Sequence, residues 1–94
     1  MTDYGKTEKI LQALASKSRL QILECIRNGV TNPGDMSKEL KRHRSTIEKH
    51  LRVLLAADIV QKVPSLSTGG QLTIRYSILE SMKGLLARIQ EATK

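Results

Sequence analysis

Apolar residues recur at helical spacing up to about residue 58 and then alternate strictly, and this change of period constrains the fold more than any other feature. Ile10, Leu11 and Leu14 share one face of a first helix. Leu20, Leu23 and Ile26 share one face of a second, which opens near Ser16 or Ser18 and closes at Asn28 and Gly29, where glycine suits a left-handed stop. Asn32 and Pro33 then read as an N-cap followed by proline at the first helical position, with Asp35 in the first turn, where the helix dipole favours it. That third helix ends about Leu40 and buries Met36 and Leu40. After Lys41, Arg42 and His43, a fourth helix carries Ile47, Leu51, Leu54 and Leu55 at offsets 0, 4, 7 and 8, the strongest stripe in the chain. Beyond it, Val60–Val63 is a short extended run and Pro64–Gly70 is turn-rich. Leu72, Ile74, Tyr76 and Ile78 alternate with Gln71, Thr73, Arg75 and Ser77, which predicts a hairpin over Val60–Ile78. A last helix runs from about Glu80 to Thr93 with Met82, Leu85, Leu86 and Ile89 on one face. The expected architecture is mainly α with one small β-hairpin, in the order α-α-α-α-β-β-α, as a single domain over residues 1–94.

The chain has no Phe or Trp and only two tyrosines, so its core must be aliphatic. This disfavours readers of single-stranded nucleic acid, which stack bases on several aromatic platforms. A domain of 94 residues buries only roughly 60–65% of the surface its unfolded chain exposes, so a second subunit would add stability. The longest apolar run, Val53–Ala57, is far short of a membrane span, and the polar start Met1–Lys9 does not read as a signal peptide. A single cysteine, Cys25, fits a reducing, cytoplasmic setting, and a buried free thiol is its ordinary reading.

Sixteen Lys and Arg against nine Asp and Glu give a net charge of +7, which points to a polyanionic partner, nucleic acid first and an acidic membrane surface second. The excess is concentrated. Lys38, Lys41, Arg42, Arg44, Lys49 and Arg52 stand against Glu39 and Glu48, so fifteen residues carry +4 of the +7. They surround the start of the fourth helix. A short helix, a three-residue turn and a second helix with a free polar face is a helix-turn-helix, whose second helix lies in the DNA major groove. Ser45, Lys49 and Arg52 oppose the Ile47–Leu51–Leu54 stripe, with Thr46 and Glu48 flanking them. Followed by a hairpin and a closing helix, this is the element order of a winged-helix domain with Val60–Ile78 as the wing.

At these residues the chain resembles the ArsR-like family of dimeric winged-helix transcriptional regulators. The run Leu11–Leu23 looks like the family's opening, with Ser18, Arg19 and Leu20 at its Thr-Arg-Leu. Ser45–Leu54 is similar to a recognition helix of Ser-Thr-Val-Ser-Arg-His-Leu-Lys-x-Leu type, and Ile59–Val60 with Arg75–Ile78 matches the strands enclosing the wing. There are departures. Lys41 and Arg42 replace a turn glycine and an apolar residue, Asp58 replaces a glycine after the recognition helix, and Glu48 replaces a small polar residue. Aspartate tolerates a left-handed conformation, so the break at Asp58 can survive.

The residues divide by chemistry. Arg44 and Lys49 have donors for guanine O6 and N7, and Ser45 and Thr46 can reach bases or phosphates or serve the helix start. Lys41, Arg42 and Arg52 suit phosphates. Lys62 and Arg75 lie on the wing, whose tip, Ser67–Gln71, can approach the adjacent minor groove. His43 is placed to cap the recognition helix or meet a phosphate. His50 reads as a structural histidine hydrogen-bonded to backbone, and Glu48 as the partner of Arg44 or Arg52 four residues away. The apolar faces Ile10–Leu11–Leu14 and Leu85–Leu86–Ile89 are the expected homodimer contact, where the resemblance also places it.

No metal or cofactor is expected. The resemblance implies either a cysteine pair in the third helix or carboxylate and histidine ligands in the last; Asn32–Asp35 contains no cysteine and no histidine follows His50. There is no phosphate-binding glycine motif, nucleophile elbow or zinc-protease helix, so an enzyme is not expected. The leading expectation is a cytoplasmic, nucleoid-associated, homodimeric regulator of double-stranded DNA. Repression is implied by the resemblance, since occupancy alone can block a promoter. The rivals are an architectural protein that coats duplex without sequence preference, and a winged helix used as a protein-interaction module.

Overall fold

The computed structural model describes residues 2–94. Five helices and one hairpin follow in the expected order: α1 Tyr4–Leu14, α2 Lys17–Arg27, α3 Pro33–Leu40, α4 Arg44–Ala56, β1 Val60–Leu66, β2 Leu72–Ile78 and α5 Glu80–Ala92. Short polar side chains start the first three helices. Asp3, Ser16 and Asn32 accept from the backbone N–H three residues on, at 3.1, 3.3 and 2.9 Å, so Ser16 and not Ser18 opens α2. Asn32 also donates to Asp35 Oδ2 at 2.6 Å.

Three helices end in one motif, a left-handed residue whose successor donates five residues back. Val30 N–H reaches Cys25 O past Gly29, Arg42 N–H reaches Ser37 O past Lys41, and Ile59 N–H reaches Leu54 O past Asp58. Glycine adopts this conformation freely, whereas Lys41 at φ 54° carries a side chain there at a cost of about 1 kcal/mol. Ser37 Oγ offsets part of that cost by donating to Arg42 O, which closes the turn between α3 and α4.

Ile22, Met36, Ile47, Leu51, Leu54, Ile59 and Val60 are the fully buried large side chains. The α4 stripe is therefore the centre of the core, as its spacing predicts. Three other expectations are corrected. Leu20 is 42% exposed, and Ile22 takes its place in the core, because α2 turns Ile22 and Ile26 inward while Leu20 faces α5. On α1, Ala13 and Leu14 are buried and Leu11 is 58% exposed. On β2, only Tyr76 and Ile78 are buried; Leu72 and Ile74 stay outside, because the hairpin runs past the core.

The strand β1 is also longer than its sequence suggests, continuing through Pro64–Leu66 in register Val60↔Ile78, Pro64↔Ile74 and Leu66↔Leu72. Ser67 N–H donates to Gln71 O at 2.8 Å, which sets odd-numbered β1 residues in the bonded positions. Pro64 therefore turns its nitrogen away from its partner, where a missing N–H costs nothing. By the same parity Tyr76 N–H points to the other edge of β2. It donates to Thr31 O at 2.8 Å and ties the wing to the loop before α3.

Arg19 fixes α4 against the first two helices. Its Nε donates to Ala13 O at 2.6 Å, Nη2 to Gln12 O at 3.3 Å and Nη1 to His50 Nδ1 at 3.2 Å. Since a guanidinium only donates, Nδ1 accepts and the imidazole is neutral. Burial, and after it Arg19, Arg42 and Lys49, hold His50 below its ordinary value of 6.5. His50 is thus structural, as expected, but its partner is a side chain rather than backbone.

This arrangement predicts an acid-sensitive stability. The unfolded chain protonates His50 before the folded one does, so the stability it confers is complete above about pH 6.5 and lost as pH falls through the lower folded value. His50→Asn places Oδ1 near the position of Nδ1 and takes up no proton. In urea titrations across pH, the advantage of the unmodified protein over this variant should be constant above about pH 6.5 and shrink in acid; a pH-independent difference would contradict the assignment.

Candidate nucleic-acid interface

With Ile47, Leu51 and Leu54 buried, α4 can present only its opposite face to water. Arg44, Ser45, Lys49 and Arg52 are exposed there, Thr46 is half-buried, and Lys41, Arg42 and His43 are exposed in the turn just before. These eight residues converge on the first turns of one helix. His43 occupies the N-cap position but makes no side-chain cap bond, and Ile47 N–H is the first to bond back, to His43 O at 3.1 Å. The preceding N–H groups have no helical partner, and together with the positive end of the helix dipole and the nearby cations they make a setting that favours a phosphate.

Glu48 pairs with Arg44, Nε to Oε1 at 3.2 Å, rather than with Arg52. The pair is exposed, so it contributes little to stability, and it turns Arg44 Nε towards Glu48 in this structure. Arg44 and Glu48 form one wall of a groove of about 680 Å³ whose other wall is the wing, with Lys62, Leu72, Ile74 and Tyr76. Asn32 and Pro33 close one side of it. Burial first, and then Glu48 against the opposing effect of Arg52, raises the Tyr76 phenol, which stays neutral.

The wing separates its two cations. Lys62 joins the groove beside α4, whereas Arg75 lies on the opposite face of the ribbon, near Arg27 and Lys83. Of the six apolar residues assigned to pairing of subunits, Leu14 and Leu86 are buried in the core, Ile10 and Ile89 pack partly against it, and Leu11 and Leu85 face outward. The residues that sequence reasoning misses are those that position the site. Arg19 is visible in the sequence only as part of a motif, with nothing local to indicate His50 as its partner.

Cys25 is buried, and burial together with Glu39 and Glu24 pushes its thiol up, away from the reactive thiolate. Among the described residues no three His, Cys, Asp or Glu side chains gather within one chain as a metal site requires. No helix among them is long and apolar enough to cross a membrane.

Comparison with known proteins agrees with this geometry. The family described as "Bacterial regulatory protein, arsR family" matches residues 16–62, from the cap of α2 into β1. The HTH-type transcriptional regulator Rv2034 of Mycobacterium tuberculosis is 31% identical over 65 residues; the match covers 69% of this chain and 61% of that protein's length. Among solved structures, reduced HlyU from Vibrio cholerae superposes with a TM-score of 0.75 at 22% identity, over 95% of this chain and 90% of the other. An ArsR-like transcriptional regulator from Rhodococcus sp. RHA1 gives 0.70 at 26% identity, over 96% and 78%. A cationic helix held by a buried stripe, a wing beside it and this family match together place the chain: it belongs to the ArsR family of transcriptional regulators and has their winged-helix DNA-binding fold.

Proposed function

We propose that this protein is a sequence-specific repressor that binds double-stranded DNA as a homodimer, with α4 in the major groove and the wing beside it. The observation that carries this reading is the uncapped, cationic start of α4, presented outward because its other face is fully buried. Lys41, Arg42, His43 and Arg52 are assigned to phosphates. Arg44, Ser45, Thr46 and Lys49 are assigned to base edges, and Lys62 and Arg75 to flanking backbone on either side of the wing. A dimer that occupies a promoter in this way blocks it without further chemistry.

Two kinds of substitution separate specific reading from coating. Lys41→Ala or Arg42→Ala should weaken binding to all duplexes alike and reduce the log–log salt slope by about 0.9 for each phosphate left unneutralised. Lys49→Ala should cost about 1–3 kcal/mol on the preferred site and much less on random duplex. Arg44→Ala should follow Lys49→Ala with a larger loss, because it also leaves the Glu48 carboxylate unpaired against DNA. Equal losses on specific and random duplex for all four would favour the architectural alternative. The measurement is fluorescence anisotropy against a site enriched from a random pool, over a range of salt.

Pairing through the terminal helices is supported by the outward-facing Leu11 on α1 and Leu85 on α5, 58% and 43% exposed. The whole chain then forms one domain whose ends make the subunit contact. Charge placed at Leu14 or Leu86 would test folding rather than assembly, since both lie in the core. Leu11→Glu with Leu85→Glu should instead give a folded monomer with weakened DNA binding. Sedimentation of the unmodified protein as a monomer at tens of micromolar would contradict dimerisation.

A further inference from the structure

The outer half of the wing carries an apolar surface that the core does not use. Leu66 and Leu72 are 71% and 72% exposed and stand directly opposite each other across the ribbon. Pro64 and Ile74, the next pair on the same face, are exposed as well. From Val63 to Ile74 the chain has twelve residues without a charge, in a protein with 27% charged residues. Large aliphatic side chains gathered in water at the end of a hairpin mark a surface that something covers.

The position of this patch narrows what covers it. Its face continues inward through Lys62 and Tyr76 into the groove bounded by Arg44 and Glu48 of α4. It is thus apolar at its outer end and cationic at its inner end. A second copy seated there would bring two Lys38–Arg52 segments, each with a net +4, towards one another. A duplex meets no such repulsion. On the DNA-binding reading above, with α4 in the major groove, the cleft between Arg44 and Lys62 would take one sugar–phosphate strand, and the two leucines would lie over the adjacent minor groove.

We infer that Leu66 and Leu72 form a wedge that enters the minor groove and bends the bound duplex, an inference that rests on the DNA-binding reading above. By the parity of the ladder they are a non-bonded pair, whose Cα atoms lie roughly 4.5 Å apart, so they project as one narrow edge towards a groove roughly 6 Å wide. The walls of that groove are deoxyribose faces, which suit an uncharged tip. An aliphatic side chain pressed between base pairs unstacks them and kinks the duplex away from the groove it enters, by roughly 20–90°. Ser65, Ser67, Thr73 and Gln71 around the leucines supply hydrogen-bonding groups without charge. The tip therefore contributes to shape selection, favouring flexible pyrimidine–purine steps, and not to the salt dependence of binding.

The test uses the full chain and a duplex enriched by the protein itself from a random-sequence pool, with a donor and an acceptor dye at its two ends. Binding should raise energy transfer between the ends. Leu66→Ser with Leu72→Ser removes only exposed side chains, so its thermal unfolding should match that of the unmodified protein. It should bind roughly ten- to hundredfold more weakly, with the same salt slope and without the rise in transfer. Lys49→Ala should also bind more weakly, yet leave the duplex bent once saturated. A leucine variant that binds and bends as the unmodified protein does overturns the wedge while leaving DNA binding intact. A variant unchanged on DNA but altered in sedimentation overturns it in favour of a second copy. Failure of the unmodified protein to retain any duplex overturns both this inference and the reading beneath it.

Discussion

Burial of Ile47, Leu51 and Leu54 on one side of α4 is the interaction on which the rest of the molecule depends. Each leaves water completely, and with about 1.5–3 kcal/mol for each aliphatic side chain the stripe contributes on the order of 5–9 kcal/mol. That exceeds the cost of about 1 kcal/mol for holding Lys41 left-handed and the comparable cost at Asp58. The turn before α4 and the break after it are therefore set by where the stripe must sit. Because the buried arc is continuous with Ile22 and Met36, α2 and α3 are placed by the same packing. The polar face of α4 is exposed as a consequence, and its cations have nowhere to point except outward.

Arg19 joins this centre to the end of the molecule assigned to pairing. One guanidinium holds two carbonyls at the end of α1 and the imidazole of α4. A shift of the carbonyls at the end of α1 would be passed to the His50 imidazole by this one guanidinium. Lys49, beside His50 in sequence, is among the residues assigned to base edges. Proton uptake by His50 would oppose Arg19 with a second positive charge at 3.2 Å, so acid weakens the joint between α4 and the end of α1.

Much of this is legible in the sequence, and the limits have physical causes. The starts and stops of α2, α3 and α4, the α4 stripe, a pairing of Glu48 within its own helix and the left-handed Asp58 all follow from neighbours within a few residues. What the sequence hides is tertiary. Leu20 and Ile22 exchange roles because α2 is covered on two sides, which a single-face pattern cannot express. Pro64 in β1 reads as a turn until the ribbon is known to leave its nitrogen unpartnered. The alternation in β2 is real, but alternation does not say that the hairpin outruns the core and leaves Leu72 and Ile74 outside. Arg19 and His50 are 31 residues apart and meet only in the fold. The concentration of charge around α4 is readable; the division of Lys62 from Arg75 by the faces of the wing is not.

On the proposed function, the face of α4 opposite its buried stripe is the surface that meets DNA. Amide chemical shifts of the isotopically labelled protein, followed during titration with a duplex enriched from a random pool, test it directly. The largest changes should fall over residues 41–49 and on the wing from residue 62 to residue 74, with small changes at Leu51 and Leu54 and on the outward face of α5. Largest changes on α1 and α5, with residues 41–49 undisturbed at saturation, would contradict it.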